Sequence, residues 1–212
     1  MSPTIFLVLC ALSVLGLLVA EKNENAPLKR IFKPAASLSF IFAGVAAGAL
    51  ETAFGQAVLA GLILCALGDV LLIPKSKKVF LAGMGAFAAG HAAYFAAFLI
   101  GGAVLSPAAI AAFLLMGALA AGLLIWLRDG LGAMAIPVAV YSLVISVMVA
   151  AGVAHWSAAQ SADSASLALA AIGFALSDVS VARDRFGKGG FINRLWGLPL
   201  YFAAQCLFAI SV

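Results

Sequence analysis

AVLAGLILCALGDVLLIP, residues 57–74, is an eighteen-residue run with one charge in it, Asp69. A helix rises about 1.5 Å per residue, and about 20 mostly apolar residues cross a bilayer core of about 30 Å. With the residues just before it, this run reaches that length. A carboxylate carried into hydrocarbon costs about 2.5–3.5 kcal/mol on insertion scales, so Asp69 needs a partner, a cavity or a task. The same setting recurs in LALAAIGFALSDVSVARDR, residues 167–185, where Asp178 interrupts another apolar run.

The whole chain behaves like these two segments. Of its 212 residues, 66% are hydrophobic and 9% are charged. Soluble domains usually carry about 25% charged residues, so the polar surface of a water-soluble domain is missing. The chain reads as a single integral membrane domain spanning 1–212, all-α and multi-pass. The net charge of +4 lies in short loops and gives no nucleic-acid signal. Cys10, Cys65 and Cys206 sit inside apolar runs without metal-ligand or pairing spacing, and read as small core residues.

Counting on helix length gives eight transmembrane helices, at about 3–20, 32–50, 54–73, 79–100, 106–126, 132–152, 165–182 and 190–211. The first lacks a basic n-region, and its apolar stretch is long for a signal peptide, so it reads as a retained helix. All twelve Lys and Arg residues fall in or beside the odd-numbered loops, for example Lys75, Lys77 and Lys78 in the third. The positive-inside rule then places the odd loops in the cytoplasm and both termini extracytoplasmic. A 4+4 parallel internal repeat is also expected. LGDVLL (67–72) is echoed by LSDVSV (176–181), and HAAYFAAF (91–98) by LPLYFAAQ (198–205). The repeat places Asp69 and Asp178 at equivalent depths, each about a turn inside the cytoplasmic end of its helix.

Two readings of these acids compete. Each could be an interfacial residue paired with nearby Lys75 or Arg183, or the two could share one cavity. Carboxyls sharing a desolvated cavity divide the work, one keeping its proton as a general acid and the other ionised as a base. Around them, Phe80, Gly83, Phe87, His91 and Tyr94 share a face of the fourth span. His91 is either a packed core histidine or a working one. Lys33, before Pro34 at the start of the second span, is a topology anchor or a phosphate contact. Pro137 and Tyr141 share a face of the sixth span, where the proline frees a carbonyl and kinks the helix. Arg194, Tyr201 and Gln205 share a face of the last. One histidine and two aspartates without HxxxH or CxxC spacing make no zinc set, so no metal is expected.

FKP at 32–34, LGDVLL at 67–72, FxxGxxxFxxGHxxY at 80–94, PxxxY at 137–141 and LSD at 176–178 together resemble the YhhN-like family of transmembrane lysoplasmalogenases. The resemblance runs from about Lys33 to Gln205. It implies hydrolysis of the vinyl-ether bond of a lysophospholipid substrate, a lysoplasmalogen, to a fatty aldehyde and glycerophosphoethanolamine or glycerophosphocholine. The family's two acids fall on Asp69 and Asp178, and its Lys-Pro, His and Tyr positions on Lys33, His91, Tyr94 and Tyr141. Ser180 stands where an apolar residue is commoner, which bears on helix packing.

The chemistry agrees with the resemblance. An electron-rich vinyl ether hydrolyses by proton addition to its β-carbon, water addition to the oxocarbenium ion and collapse of the hemiacetal. That needs an acid and a carboxylate, with no cofactor. Asp69 and Asp178 are the expected catalytic pair. Lys33 is expected to hold the phosphate, and His91, Tyr94, Tyr141, Tyr201 and Gln205 to orient or bind. The expected location is a bacterial inner membrane, in contact with lipid and not with nucleic acid, and the oligomeric state is left open. Paired intramembrane acids in two repeats also suit a proton-coupled transporter of lipids or small molecules. A structural membrane protein would tolerate Asn at both positions.

Overall fold

The computed structural model describes residues 2–74 and 76–212. Among them the regular structure is entirely helical. In chain order it comprises α1 (Pro3–Lys22), α2 (Ala26–Ala46), α3 (Ala53–Leu71), α4 (Lys77–Ile100), α5 (Pro107–Leu131), a 3-10 turn (Gly132–Met134), α6 (Ala135–Ala159), α7 (Ala162–Phe186) and α8 (Phe191–Ile210). Lys75, one of the two proposed pairing partners for the acids, lies outside the described residues.

The helix starts follow local chemistry. The first backbone N–H groups of a helix lack intrahelical partners, and side-chain oxygens supply them. Asn25 accepts from the Leu28 N–H at 3.1 Å, Thr52 from Gly55 at 2.9 Å and Ser106 from Ala109 at 3.2 Å. Ser161 and Ser164 cap each other reciprocally at the head of α7. Two starts differ from the sequence reading. The Asn25 cap begins α2 six residues before the expected span, so Lys29 and Arg30 lie on the helix and Pro34 lies in its interior. Conversely, α6 begins at Ala135, which places Pro137 in the first turn, where a missing N–H costs no helical bond.

Among the described residues, five stretches are long and apolar enough to cross a membrane: Pro3–Lys22, Ala53–Leu71, Lys77–Ile100, Pro107–Ala159 and Ala162–Phe186. The fourth contains both α5 and α6. The helices α2 and α8 fall short because α2 carries Lys29, Arg30 and Lys33, and α8 carries Asn193, Arg194 and Gln205. Leu12, Leu15, Leu114, Leu115, Ile125 and Leu169 all face outward. Water would not tolerate an apolar outer surface of that extent, whereas lipid does.

Sequential helices pack as hairpins, α1 on α2, α3 on α4, α5 on α6 and α7 on α8; across them α2 meets α8 and α4 meets α6. One core runs through Leu17, Phe40, Leu62, Phe98, Phe174 and Phe208, and a smaller one gathers Phe80, Leu127, Leu131, Met134 and Val138. Small residues let backbones close on each other. A Cβ on Gly90 would lie 2.6 Å from Cys65 Sγ and 3.2 Å from the Gly61 carbonyl. Gly90→Ala is therefore expected to lower stability by about 1–3 kcal/mol through overpacking, read as a fall in midpoint temperature in detergent. Ser180 is accommodated in the same way. It lies against Gly197 of α8 and donates to the Ser177 carbonyl at 2.7 Å.

Charged side chains tie one end of the bundle together. Glu21 accepts from Lys29 at 2.7 Å and from Arg194, which also reaches Asp184 at 3.0 Å. The Arg185 guanidinium lies 4.6 Å from the Phe80 ring centroid and that of Arg183 lies 5.9 Å from Trp126. The connections after α1, α3, α5 and α7 therefore meet at one end.

Candidate active site

The chain has three tyrosines, and all three hydroxyls end in carboxylate networks. Asp69, on the last turn of α3, is 2% exposed. Its Oδ1 faces Lys33 Nζ of α2 at 3.2 Å. Its Oδ2 accepts from Ser37 Oγ at 2.7 Å and from Tyr201 Oη of α8 at 2.7 Å. Behind Tyr201 the donors keep one direction. Gln205 Nε2 donates to Tyr201 Oη at 3.1 Å, and Tyr94 Oη donates to Gln205 Oε1 at 2.6 Å. The chain Tyr94, Gln205, Tyr201, Asp69 thus closes on an acceptor that also receives an ammonium and a serine hydroxyl. Such a site is built for an ionised carboxylate.

Asp178 on α7 is differently placed. Its Oδ2 accepts from Tyr141 Oη of α6 at 2.6 Å. His91 Nε2 of α4 lies 2.9 Å from the same hydroxyl and 3.9 Å from Oδ2, the latter beyond hydrogen-bond reach. The Tyr141 proton is committed to the carboxylate, so His91 Nε2 carries the hydrogen and donates it. His91 Nδ1 is buried without a hydrogen-bond partner among the described residues. No Lys or Arg among the described residues pairs with Asp178, its side chain is 23% exposed, and its Oδ1 makes no protein hydrogen bond there.

The two networks meet across aromatic rings. The Phe174 ring lies 4.5 Å from His91 and 5.1 Å from Tyr201, and the Phe87 ring packs on Phe174 and Tyr201. Each carboxyl keeps its own donors, and no hydrogen bond among the described residues joins them.

Several expected residues fall into place differently from the sequence reading. Tyr94 shares a helix face with His91, yet serves the Asp69 side through Gln205. Arg194 keeps the helix face of Tyr201 and Gln205 but lies at the bundle end, where it binds Glu21 and Asp184 instead of joining the site. Lys33 is neither a free anchor nor a free phosphate contact, being the counterion of Asp69. Ser37 carries no motif; only its position one turn after Lys33 in AASLSF hints that it shares the lysine's face.

Apolar helices with a lipid-compatible exterior, enclosing two carboxyl centres fed by tyrosines, define an integral membrane protein with a buried polar site. More narrowly, the chain belongs to the YhhN family, whose pattern matches residues 28–212. It is similar to proteins named lysoplasmalogenase from Mycobacterium bovis (strain ATCC BAA-935 / AF2122/97) and Mycobacterium tuberculosis (strain CDC 1551 / Oshkosh). Each is 30% identical over 201 residues, covering 89% of this chain and 71% of the relative. No solved structure matches the chain.

Proposed function

We propose that this protein is a lysoplasmalogenase, hydrolysing the vinyl ether of a lysophospholipid with Asp178 as proton donor and Asp69 as fixed anion. The observation that carries the assignment is the difference in donors. Asp69 has a lysine counterion and two hydroxyl donors, whereas Asp178 has a single tyrosine donor, on Oδ2. With Oδ2 receiving from Tyr141, Oδ1 is the oxygen left free to meet a substrate and pass a proton to it.

In the first step Asp178 Oδ1–H protonates the β-carbon of the alkenyl chain, and the lone pair of the ether oxygen forms the oxocarbenium ion. The Asp69 side supplies the negative field that stabilises the cation. Water then adds to the cationic carbon and its proton returns to the Asp178 carboxylate. The hemiacetal collapses to an aldehyde and the glycerol hydroxyl. His91 and Tyr141 hold Asp178 in place, and Tyr94, Gln205 and Tyr201 hold Asp69.

The same proposal includes eight membrane spans, with α2 and α8 crossing despite their polar residues because these face the site. It also includes a parallel 4+4 repeat. Asp69 and Asp178 are 109 residues apart and Lys33 and Tyr141 are 108 apart. Asp69 draws its donors from α2 and α8, while Asp178 draws its one donor, Tyr141, from α6, with His91 of α4 behind that hydroxyl; α2 and α6, and α4 and α8, are the pairs the repeat relates. The shared basic end supports cytoplasmic odd loops and termini outside, and the mycobacterial relatives support a bacterial plasma membrane.

Labelling tests the chemistry. In deuterated water the fatty aldehyde is expected to carry one solvent deuterium on the carbon next to the carbonyl. In ¹⁸O water the released glycerol is expected to keep its original oxygen. An aldehyde without deuterium would show that carbon protonation is not the step, and no aldehyde from any lysoplasmalogen would remove the proposal.

A further inference from the structure

With Lys33 Nζ committed to Asp69 and its side chain 14% exposed, a substrate phosphate needs other cations. The basic end of the bundle offers a groove with a cavity volume of about 570 Å³ between the last turns of α5 and α7, lined by Trp126, Leu127, Asp129, Arg183, Phe186 and Lys188. Neither Arg183 nor Lys188 pairs with a carboxylate among the described residues. The nearby Asp184 is occupied by Arg194. Arg183 is held beside the Trp126 ring, 5.9 Å from its centroid, rather than extended into solvent. Among the described residues Asp129 meets only Arg128, at 3.5 Å with both side chains largely exposed, a pairing worth little.

Two unpaired cations, a loosely held carboxylate and an apolar floor complement one kind of group. The cations fit a phosphodiester, for which the arginine fork is well shaped, and the carboxylate fits an ammonium. Along the axis of α7 the groove is close to Asp178: Arg183 follows it by five residues, a rise of roughly 7.5 Å with a rotation of about 140° around the helix. A single glycerol separates phosphate from ether in a lysophospholipid. Ala182 and Phe186, packed against the small core beneath the groove, continue α7 from the Asp178 turn.

We propose that this groove is the head-group subsite for a zwitterionic lysophospholipid, with Arg183 and Lys188 on the phosphodiester and Asp129 on the ammonium. The inference rests on the lysoplasmalogenase reading, and the experiment separates the two. The full chain, in an uncharged detergent, is titrated with a saturated 1-O-alkyl lysophosphoethanolamine, which has no vinyl bond to cleave. Arg183→Gln/Lys188→Gln is expected to weaken binding roughly tenfold or more, since two charge-assisted contacts are lost. The lysoplasmalogen KM is expected to rise in step while kcat changes little. Lys188→Gln alone, on an exposed loop position where folding is not at stake, is expected to weaken binding a few-fold. Lys22→Gln/Arg30→Gln removes the same charge from the same end outside the groove and is expected to change nothing.

Unchanged binding and KM in the groove variants would overturn the subsite, as would an equal loss in the control pair. Equal competition by diacyl phosphatidylethanolamine would make the groove a general lipid contact and overturn it too, whereas free glycerophosphoethanolamine is expected to compete weakly. Groove-dependent binding by a protein that releases no aldehyde would uphold the subsite and refute the catalytic proposal. Aldehyde release with unchanged KM in the groove variants would do the reverse.

Discussion

Asp178→Asn is expected to lower kcat for aldehyde release roughly 10²–10⁴-fold, the usual contribution of a positioned general acid, while the protein stays folded. The amide oxygen can still accept from Tyr141, so the 2.6 Å contact has a successor. No lysine or arginine is stranded, because none pairs with Asp178 among the described residues. What the amide cannot do is hand a proton to carbon. The check is single-turnover aldehyde release beside the melting midpoint of the same sample. A folded variant with near wild-type turnover would remove Asp178 from the chemistry.

Asp69→Asn is expected to be a different kind of lesion. Lys33 Nζ, 14% exposed and 3.2 Å from the carboxylate, would lose its counterion inside the bundle. Breaking one side of a buried pair costs about 3–5 kcal/mol, so this variant is expected to melt far below the parent and to lose activity as well. Lys33→Met/Asp69→Asn removes both charges. It is expected to recover most of the stability and none of the turnover, which separates fixing the fold from stabilising a cation. Wild-type turnover in the double variant would reduce Asp69 to a structural role. A wild-type midpoint in the single variant would mean that Lys33 does not depend on it.

Much of this architecture is written locally, and therefore readable. Apolar runs at helix-spanning length announce α1 and α3, and a carboxylate in such a run stands out whatever surrounds it. The hydroxyls and the lysine that meet the acids are visible as residue types, but their partners depend on long-range packing. Tyr94 and Gln205 are 111 residues apart, and helical spacing alone puts Tyr94 with His91. Lys33 looks like an interfacial anchor until α2 lies against α3. The start of α2 turns on one asparagine cap, which hydropathy does not register, and so Pro34 moves from the first turn to the interior. Ser37 has nothing to mark it except its distance from Lys33. The family resemblance supplies the proposed reaction, while the proposed division of labour between the acids rests on which one has a counterion.

The crossed parentage of the two networks limits how the gene can change. Asp69 takes its donors from α2 and α8, and Asp178 takes its one donor from α6, itself backed by His91 of α4. A chain severed between α4 and α5 would yield two fragments, neither holding a whole environment for its own acid. Drift on one side of that cut is therefore checked by the other, and the two segments are bound to change together.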